Sequence, residues 1–425
     1  MSLHHPPAYL RLIESGIDRT AFPLAFDSWS DEERAALQRV IASGRFTMGP
    51  EVSQFEAEFA RAFGARHAVM VSSGSTANLL MAAALRFRGS GAVPPGSEVV
   101  VPAVGWSTTY FPFAQHGYRL RFVDVDRATL NIDCDALAAA LSPETRAVVV
   151  VNVLGNPCEF DTIASVIADA EARFGHEIAL LEDNCESLGA TYGGRACGTI
   201  GLLGSFSFFF SHHLSTMEGG MVCTDDAELA EIVTCLRAHG WTRDIPVESP
   251  LAAGAHDPFE EAFRFVLPGY NVRPLELSAA VGRVQLGRFD GFLERRRANA
   301  RRWAELMEPL APWFRIQQQP HTGSWFGFSI VLTPEAPFGR ATVVAALEAA
   351  GVQCRPVVSG NFARQPALRY IDHTVSGPLD AADEIHDRGL YVGNAERPLG
   401  EELELVAATL STLVPHTTFP AAAVA

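Results

Sequence analysis

The sequence predicts an α/β fold: a large domain with a mainly parallel central sheet flanked by helices, and a smaller C-terminal α/β domain. Three observations predict it. Seven short apolar runs, several rich in valine, lie between residues 68 and 224. Ala/Leu-rich stretches of helical period separate most of them. A second, smaller alternation follows a long charged helix.

The elements follow in order. Ser30 and Glu33 make a capping-box pattern, Leu37, Val40 and Ile41 an apolar stripe, and Gly44 a stop, so a helix is predicted over Ser30–Ser43. A second amphipathic helix, Val52–Phe63, ends at Gly64. Strands are predicted at Ala68–Ser72, Glu98–Pro102, Phe122–Asp126, Ala147–Asn152, Ala179–Asp183, Ser205–Phe209 and Met221–Thr224. Helices Ala77–Phe87, Cys134–Leu141 and Ile163–Phe174 lie between them. Apolar strands joined through helices are parallel and buried on both faces. The last two are close enough in sequence to run antiparallel. A helix over Leu229–Arg237 leads to His239-Gly240-Trp241, and residues 244–268 read as a long acidic loop. The charged helix Leu277–Trp303 follows, and the change of domain is placed within it. Residues 1–290 are then the large domain and 291–425 the small one. Beyond it come a strand, Trp325–Leu332, a helix, Thr342–Ala350, stopped by Gly351, and a last helix over 401–415.

Composition narrows the function. The chain has 425 residues, 48% of them apolar, enough for a large core. Its formal charge of −16 argues against nucleic acid and anionic membrane as main partners. No apolar stretch reaches the roughly 18 residues that span a bilayer. Met1–Tyr9 lacks a basic segment followed by an apolar run, so no signal peptide is expected and the protein reads as cytoplasmic. Seven dispersed cysteines, without a C-x-x-C, read as free thiols, and no metal-ligand spacing is present. All 33 basic residues are arginine. With no lysine, no side chain can form a Schiff base.

Three segments carry chemistry. Ser72-Ser73-Gly74-Ser75-Thr76-Ala77-Asn78 follows a strand and opens a helix, as a phosphate cradle or an ordinary turn does. Glu182-Asp183-Asn184-Cys185-Glu186 ends a buried strand, where ligands sit in open α/β sheets. Asp183 there either holds a protonated ring nitrogen or caps a helix. Ser205–Ser211 leads through His212-His213 to Glu218-Gly219-Gly220 before the next strand.

In this order, with Val104-Gly105-Trp106-Ser107-Thr108 and Gly269-Tyr270-Asn271-Val272-Arg273, these motifs resemble those of the DegT/DnrJ/EryC1/StrS sugar aminotransferases. The resemblance runs from about Phe46 to the last helix. It implies the type I aspartate-aminotransferase fold and pyridoxal phosphate, with the large domain binding the cofactor. By this resemblance Gly74 and Ser75 give backbone N–H groups to the cofactor phosphate and Ser207 binds it too. Trp106 stacks on the ring, Asp183 pairs with its nitrogen, and Glu186 lies near its hydroxyl. Asn271 reaches the phosphate of a neighbouring subunit, so a homodimer shares the site.

The departure is His212, which stands where the family's aminotransferases carry lysine. Ser211-His212-His213, Leu154-Gly155-Asn156-Pro157-Cys158, Arg355–Phe362 and Tyr391-Val392-Gly393-Asn394 are similar to a subgroup, the nucleotide-sugar 3-dehydratases. That likeness implies non-covalent pyridoxal or pyridoxamine phosphate, and a nucleotide-linked 4-keto-6-deoxy sugar, with GDP-4-keto-6-deoxymannose first. It also implies L-glutamate as amino donor. His212, ordinary pKa near ~6.5, serves as the acid and base. A second branch adds an iron–sulfur cluster; with no cysteine between Cys235 and Cys354, none is expected here. An aminotransferase without covalent anchoring and a catalytically silent homologue are the alternatives.

Overall fold

The computed structural model describes residues 20–252 and 257–415. Met1–Tyr9, read above as carrying no leader, lies outside them. The main sheet has eight strands in the order β1-β9-β8-β5-β4-β2-β3-β13. These are β1 (His67–Val71), β2 (Glu98–Pro102), β3 (Arg119–Val123), β4 (Thr145–Val151), β5 (Ala179–Asp183), β8 (Leu203–Ser207), β9 (Gly220–Thr224) and β13 (His373–Val375). Only β9 runs against its neighbours, β1 and β8; all other pairings are parallel. A two-stranded hairpin, β6 (Thr191–Tyr192) with β7 (Arg195–Ala196), sits outside it. A second, antiparallel sheet has the order β10-β11-β14-β12, from β10 (Phe314–Arg315), β11 (Gly327–Leu332), β12 (Cys354–Arg355) and β14 (Gly389–Gly393).

The central strands are buried along their whole length because helices cover both faces. Helix Gly74–Phe87 is the innermost of these. Leu80 to Leu85 are all fully buried, and the run of alanines there lets the helix lie close to the sheet. Ser73 caps it, taking the Thr76 N–H at 3.1 Å while Thr76 Oγ1 takes that of Ser73.

Helix Glu276–Met307 ties the two sheets together over 32 residues. At its start the Glu276 carboxylate accepts the N–H groups of Gly49, Glu51 and Val52, capping helix Pro50–Phe63. Near its end Trp303 is fully buried in the second core, stacked on Phe328 with centroids 5.3 Å apart. Two segments cross between the sheets. Phe22 joins the second core and bonds with Gly351 and Gln353, while His373–Val375 pairs with β3. Trp303→Ala is expected to cost about 3–5 kcal/mol of stability, read as a lowered urea midpoint of the tryptophan-containing core.

Several expected elements are displaced. The strand expected at Phe122–Asp126 lies at Arg119–Val123, because Arg121 reaches the buried Glu98 carboxylate of β2 at 2.9 Å. Asp124 and Asp126 instead cap turns, Asp124 taking the N–H groups of Ala381 and Ala382. The strand expected at Ser205–Phe209 begins and ends two residues earlier, at Leu203–Ser207. The stripe of the first helix is Glu33, Ala36 and Val40; Ile41 is exposed. The expected loop 244–268 holds a 3-10 turn, Pro250–Ala252, and a short helix, Pro258–Glu261. Trp325 lies ahead of β11, at φ 40° and so out of the strand conformation.

Candidate active site

Four strand ends meet at one place. At the end of β1 the chain turns into helix Gly74–Phe87 with no room for a side chain at Gly74. A Cβ there would lie 2.5 Å from the Ser207 Cβ, at the end of β8, and 2.9 Å from Cys185 Sγ, just past β5. Gly220, which begins β9, is equally tight, since a Cβ would lie 2.3 Å from the Ser73 carbonyl oxygen. Because Ser73 serves the Thr76 N–H, those of Gly74 and Ser75 point out of the helix N-terminus. Two free donors, the positive end of a 14-residue helix and the nearby Ser207 hydroxyl can hold an anion.

Asp183 and Glu182 alternate across β5 and so do different work. The Glu182 carboxylate is fully buried and gathers the N–H groups of Gly198, Ile200 and Gly201, each at 2.6 Å. Burial raises its carboxyl pKa and those donors oppose the rise. It holds the chain beyond the β6–β7 hairpin in place. Asp183 faces the other way. Its Oδ2 accepts from Asn78 Nδ2 at 2.9 Å and Thr109 Oγ1 at 2.7 Å. Its Oδ1 has only long contacts, 3.3 Å to the Cys185 N–H and 3.5 Å to the Ser205 hydroxyl. That oxygen can take a stronger donor, such as a protonated ring nitrogen.

The opposite wall is built from distant segments. Glu186 Oε2 accepts the Leu154 N–H at 3.2 Å, and the Leu154 carbonyl accepts the Phe326 N–H at 2.9 Å. Burial first, and Asp183 as well, push the Glu186 carboxyl up to about 7. Phe326 places its ring 5.0 Å from that of His212. Gly155 makes this seam possible: at φ 92°, a Cβ there would meet the Trp325 backbone N at 2.4 Å. His212 is half-buried, with a buried and unpartnered Nδ1, and burial followed by Arg296 pushes its pKa down to about 3. Beside it, His213 Nε2 lies 3.1 Å from the Ser324 carbonyl. Trp106 immediately precedes helix Ser107–Gln115, three residues before Thr109, and is 56% exposed.

Thus Gly74, Ser207 and Cys185 crowd together beside Asp183, and Glu186 connects to His212 through Leu154 and Phe326. Asn271 does not join them within one chain. It is exposed, and its Oδ1 accepts from Arg273 Nε at 3.0 Å, although the next residue, Val272, bonds to the Ser72 N–H. Sequence reasoning missed Thr109, Phe326 and Arg296 and gave Asn78 no role. Thr109 lies one residue beyond the Val104–Thr108 motif, the only signal for it.

The chain matches the DegT/DnrJ/EryC1/StrS aminotransferase family over residues 27–411. It belongs to that family. Within the DegT/DnrJ/EryC1/StrS family it is 50% identical, over 385 residues, to the GDP-4-keto-6-deoxy-D-mannose 3-dehydratase of Yersinia pseudotuberculosis, covering 90% of this chain and 96% of that one. The enzyme of the same name from Escherichia coli O55:H7 is 47% identical, with 90% and 97% covered. A solved structure of the E. coli enzyme with bound hydrated PLP matches with a TM-score of 0.89 and 46% identity, covering 92% of this chain and 99% of that one. Another structure of a GDP-4-keto-6-deoxymannose 3-dehydratase, with a trapped PLP–glutamate geminal diamine, gives 0.88 and 47%, covering 92% and 100%. The fold is that of the PLP-dependent aminotransferases, as the sequence predicts.

Proposed function

We propose that this chain is a pyridoxal-phosphate-dependent 3-dehydratase of GDP-4-keto-6-deoxymannose, with L-glutamate as amino donor. One observation carries the reading: a half-buried histidine, His212, stands at the family's lysine position in a chain without any lysine. The two relatives of about half-identical sequence carry that activity in their names.

The residues present fit the cofactor. Gly74 and Ser75 N–H groups and the Ser207 hydroxyl suit its phosphate, in a cradle where a Cβ would collide. Asp183 Oδ1 suits its ring nitrogen, and Thr109 and Asn78 fix that carboxylate in place. The exposed face of Trp106 would suit its ring, and Glu186 would serve its ring hydroxyl. When bound, the cofactor supplies an electron sink in conjugation with the sugar's C4. The holding is non-covalent, because no side chain here offers an amine.

The protein's own contribution to the reaction is proton transfer. His212 is neutral, so it can accept a proton, and it can then give that proton to the oxygen leaving sugar C3. The reading includes no iron–sulfur cluster. Among the described residues no group of three or more His, Cys, Asp or Glu side chains could hold a metal ion. It also includes a homodimer in which Asn271 completes the partner's phosphate site. All seven cysteines are free, which suits a reducing cytoplasm, and no described helix is long and apolar enough to cross a membrane.

The test is product mass. The protein, pyridoxal phosphate and L-glutamate are incubated with GDP-4-keto-6-deoxymannose and with CDP- and dTDP-linked counterparts. A product lacking one oxygen and carrying no nitrogen, formed from the GDP sugar, is expected. A product carrying an amine would overturn the dehydratase reading.

A further inference from the structure

The turn that packs on His212 is held from behind by a buried cation. Arg296, on helix Glu276–Met307, is 3% exposed. Its Nη1 donates to the carbonyl oxygens of Asn394 at 3.3 Å, Trp325 at 3.4 Å and Phe326 at 3.5 Å. Its Nη2 lies 3.7 Å from the Glu396 carboxylate, long for an ion pair, and its Nε is buried without a partner. The guanidinium is therefore incompletely neutralised. Two of the three carbonyls belong to the turn Ser324–Phe326. That turn sends the Ser324 carbonyl to His213 and the Phe326 ring against both imidazoles, at 5.0 and 6.0 Å.

We propose that Arg296 is the positioning residue of the His212–His213 pair: it locks the Ser324–Phe326 turn onto the imidazoles and, as an under-neutralised buried cation, keeps the pair from gathering further positive charge. The inference rests on the reading of His212 as the acid and base.

The charged and titratable groups around the pair are few. Arg296 comes from the long helix, Glu396 follows β14, and each histidine faces the other. Burial is the largest influence on both imidazoles and Arg296 the second; on His213 the Ser324 carbonyl works the other way. A depressed imidazole pKa means a weaker base and a stronger acid. Arg296 thus costs His212 some power to take a proton. In return, a protonated His212 surrenders it readily to the departing hydroxyl. On this geometry the arginine serves expulsion of the oxygen.

The experiment uses the whole chain without substrate. The His212 ring signal, picked out among 13 histidines by its absence from His212→Asn, is followed by NMR from pH 8 down to the acid limit of folding. Wild type, Arg296→Gln and Arg296→Lys are compared. In Arg296→Gln the His212 midpoint is expected to rise by about one pH unit or more, whereas Arg296→Lys, which restores the charge, keeps the wild-type behaviour. An Arg296→Gln signal that stays neutral as far as the wild type overturns the proposal. Should Arg296→Gln fail to fold, Glu396→Gln removes the counter-charge instead. Its His212 must protonate at no higher pH than wild type, and a raised midpoint overturns the proposal. None of these readings depends on the sugar, so a failed deoxygenation assay with the expected titrations would sink the functional reading and leave only the effect of Arg296 on His212 protonation.

Discussion

His212→Ala is expected to lower C3 deoxygenation by about 100-fold to 10,000-fold, the usual worth of a positioned acid–base group. Cofactor binding is expected to survive. The anion cradle at Gly74 and Ser75 and the Asp183 carboxylate belong to other strands and share no hydrogen bond with His212. Turnover is read from the deoxy product and cofactor binding from the absorption band gained on adding pyridoxal phosphate. Full turnover in the variant would remove His212 from the chemistry. Loss of the band together with turnover would recast it as a structural residue.

The second large effect belongs to Asp183→Asn, which preserves shape and removes charge. Breaking one side of a buried, hydrogen-bonded charge pair costs about 2–5 kcal/mol, or about 30-fold to several-thousandfold in Kd. Cofactor affinity is therefore expected to fall by that factor, measured by absorbance titration. The Thr109 and Asn78 donors remain satisfied by the amide oxygen, so the unfolding midpoint is expected to hold near the wild-type value. An unchanged Kd would show that no cation sits on Oδ1.

These two residues were legible in the sequence for different reasons. Asp183 ends a strand whose bounds, Ala179–Asp183, are as expected, because a short apolar run entering an acidic turn has one sensible reading. His212 stood out only because lysine is absent and the family motif has a fixed spacing. Strand β2 was equally clear, a run of three valines set between Glu98 and Pro102. Strand β3 was not, since its arginines resemble loop until Glu98 is known to lie beside Arg121. The support around Asp183 was out of reach, as Thr109 and Asn78 arrive from 74 and 105 residues away. Arg296 was hidden more thoroughly. It sits in the run Arg295-Arg296-Arg297, and nothing in the run says that its middle member alone is buried.

The seam at Gly155 and Trp325 has a consequence for how the enzyme is made. The groups that one chain offers its own phosphate and ring nitrogen, from Gly74 to Ser207, are encoded by residue 207, whereas the ring packed on His212 is Phe326 and the cation behind it is Arg296. During synthesis from the N-terminus the holding groups leave the ribosome first and the groups that govern the proton leave last. The nascent chain thus carries a place for its reactive guest before it carries the means to use it.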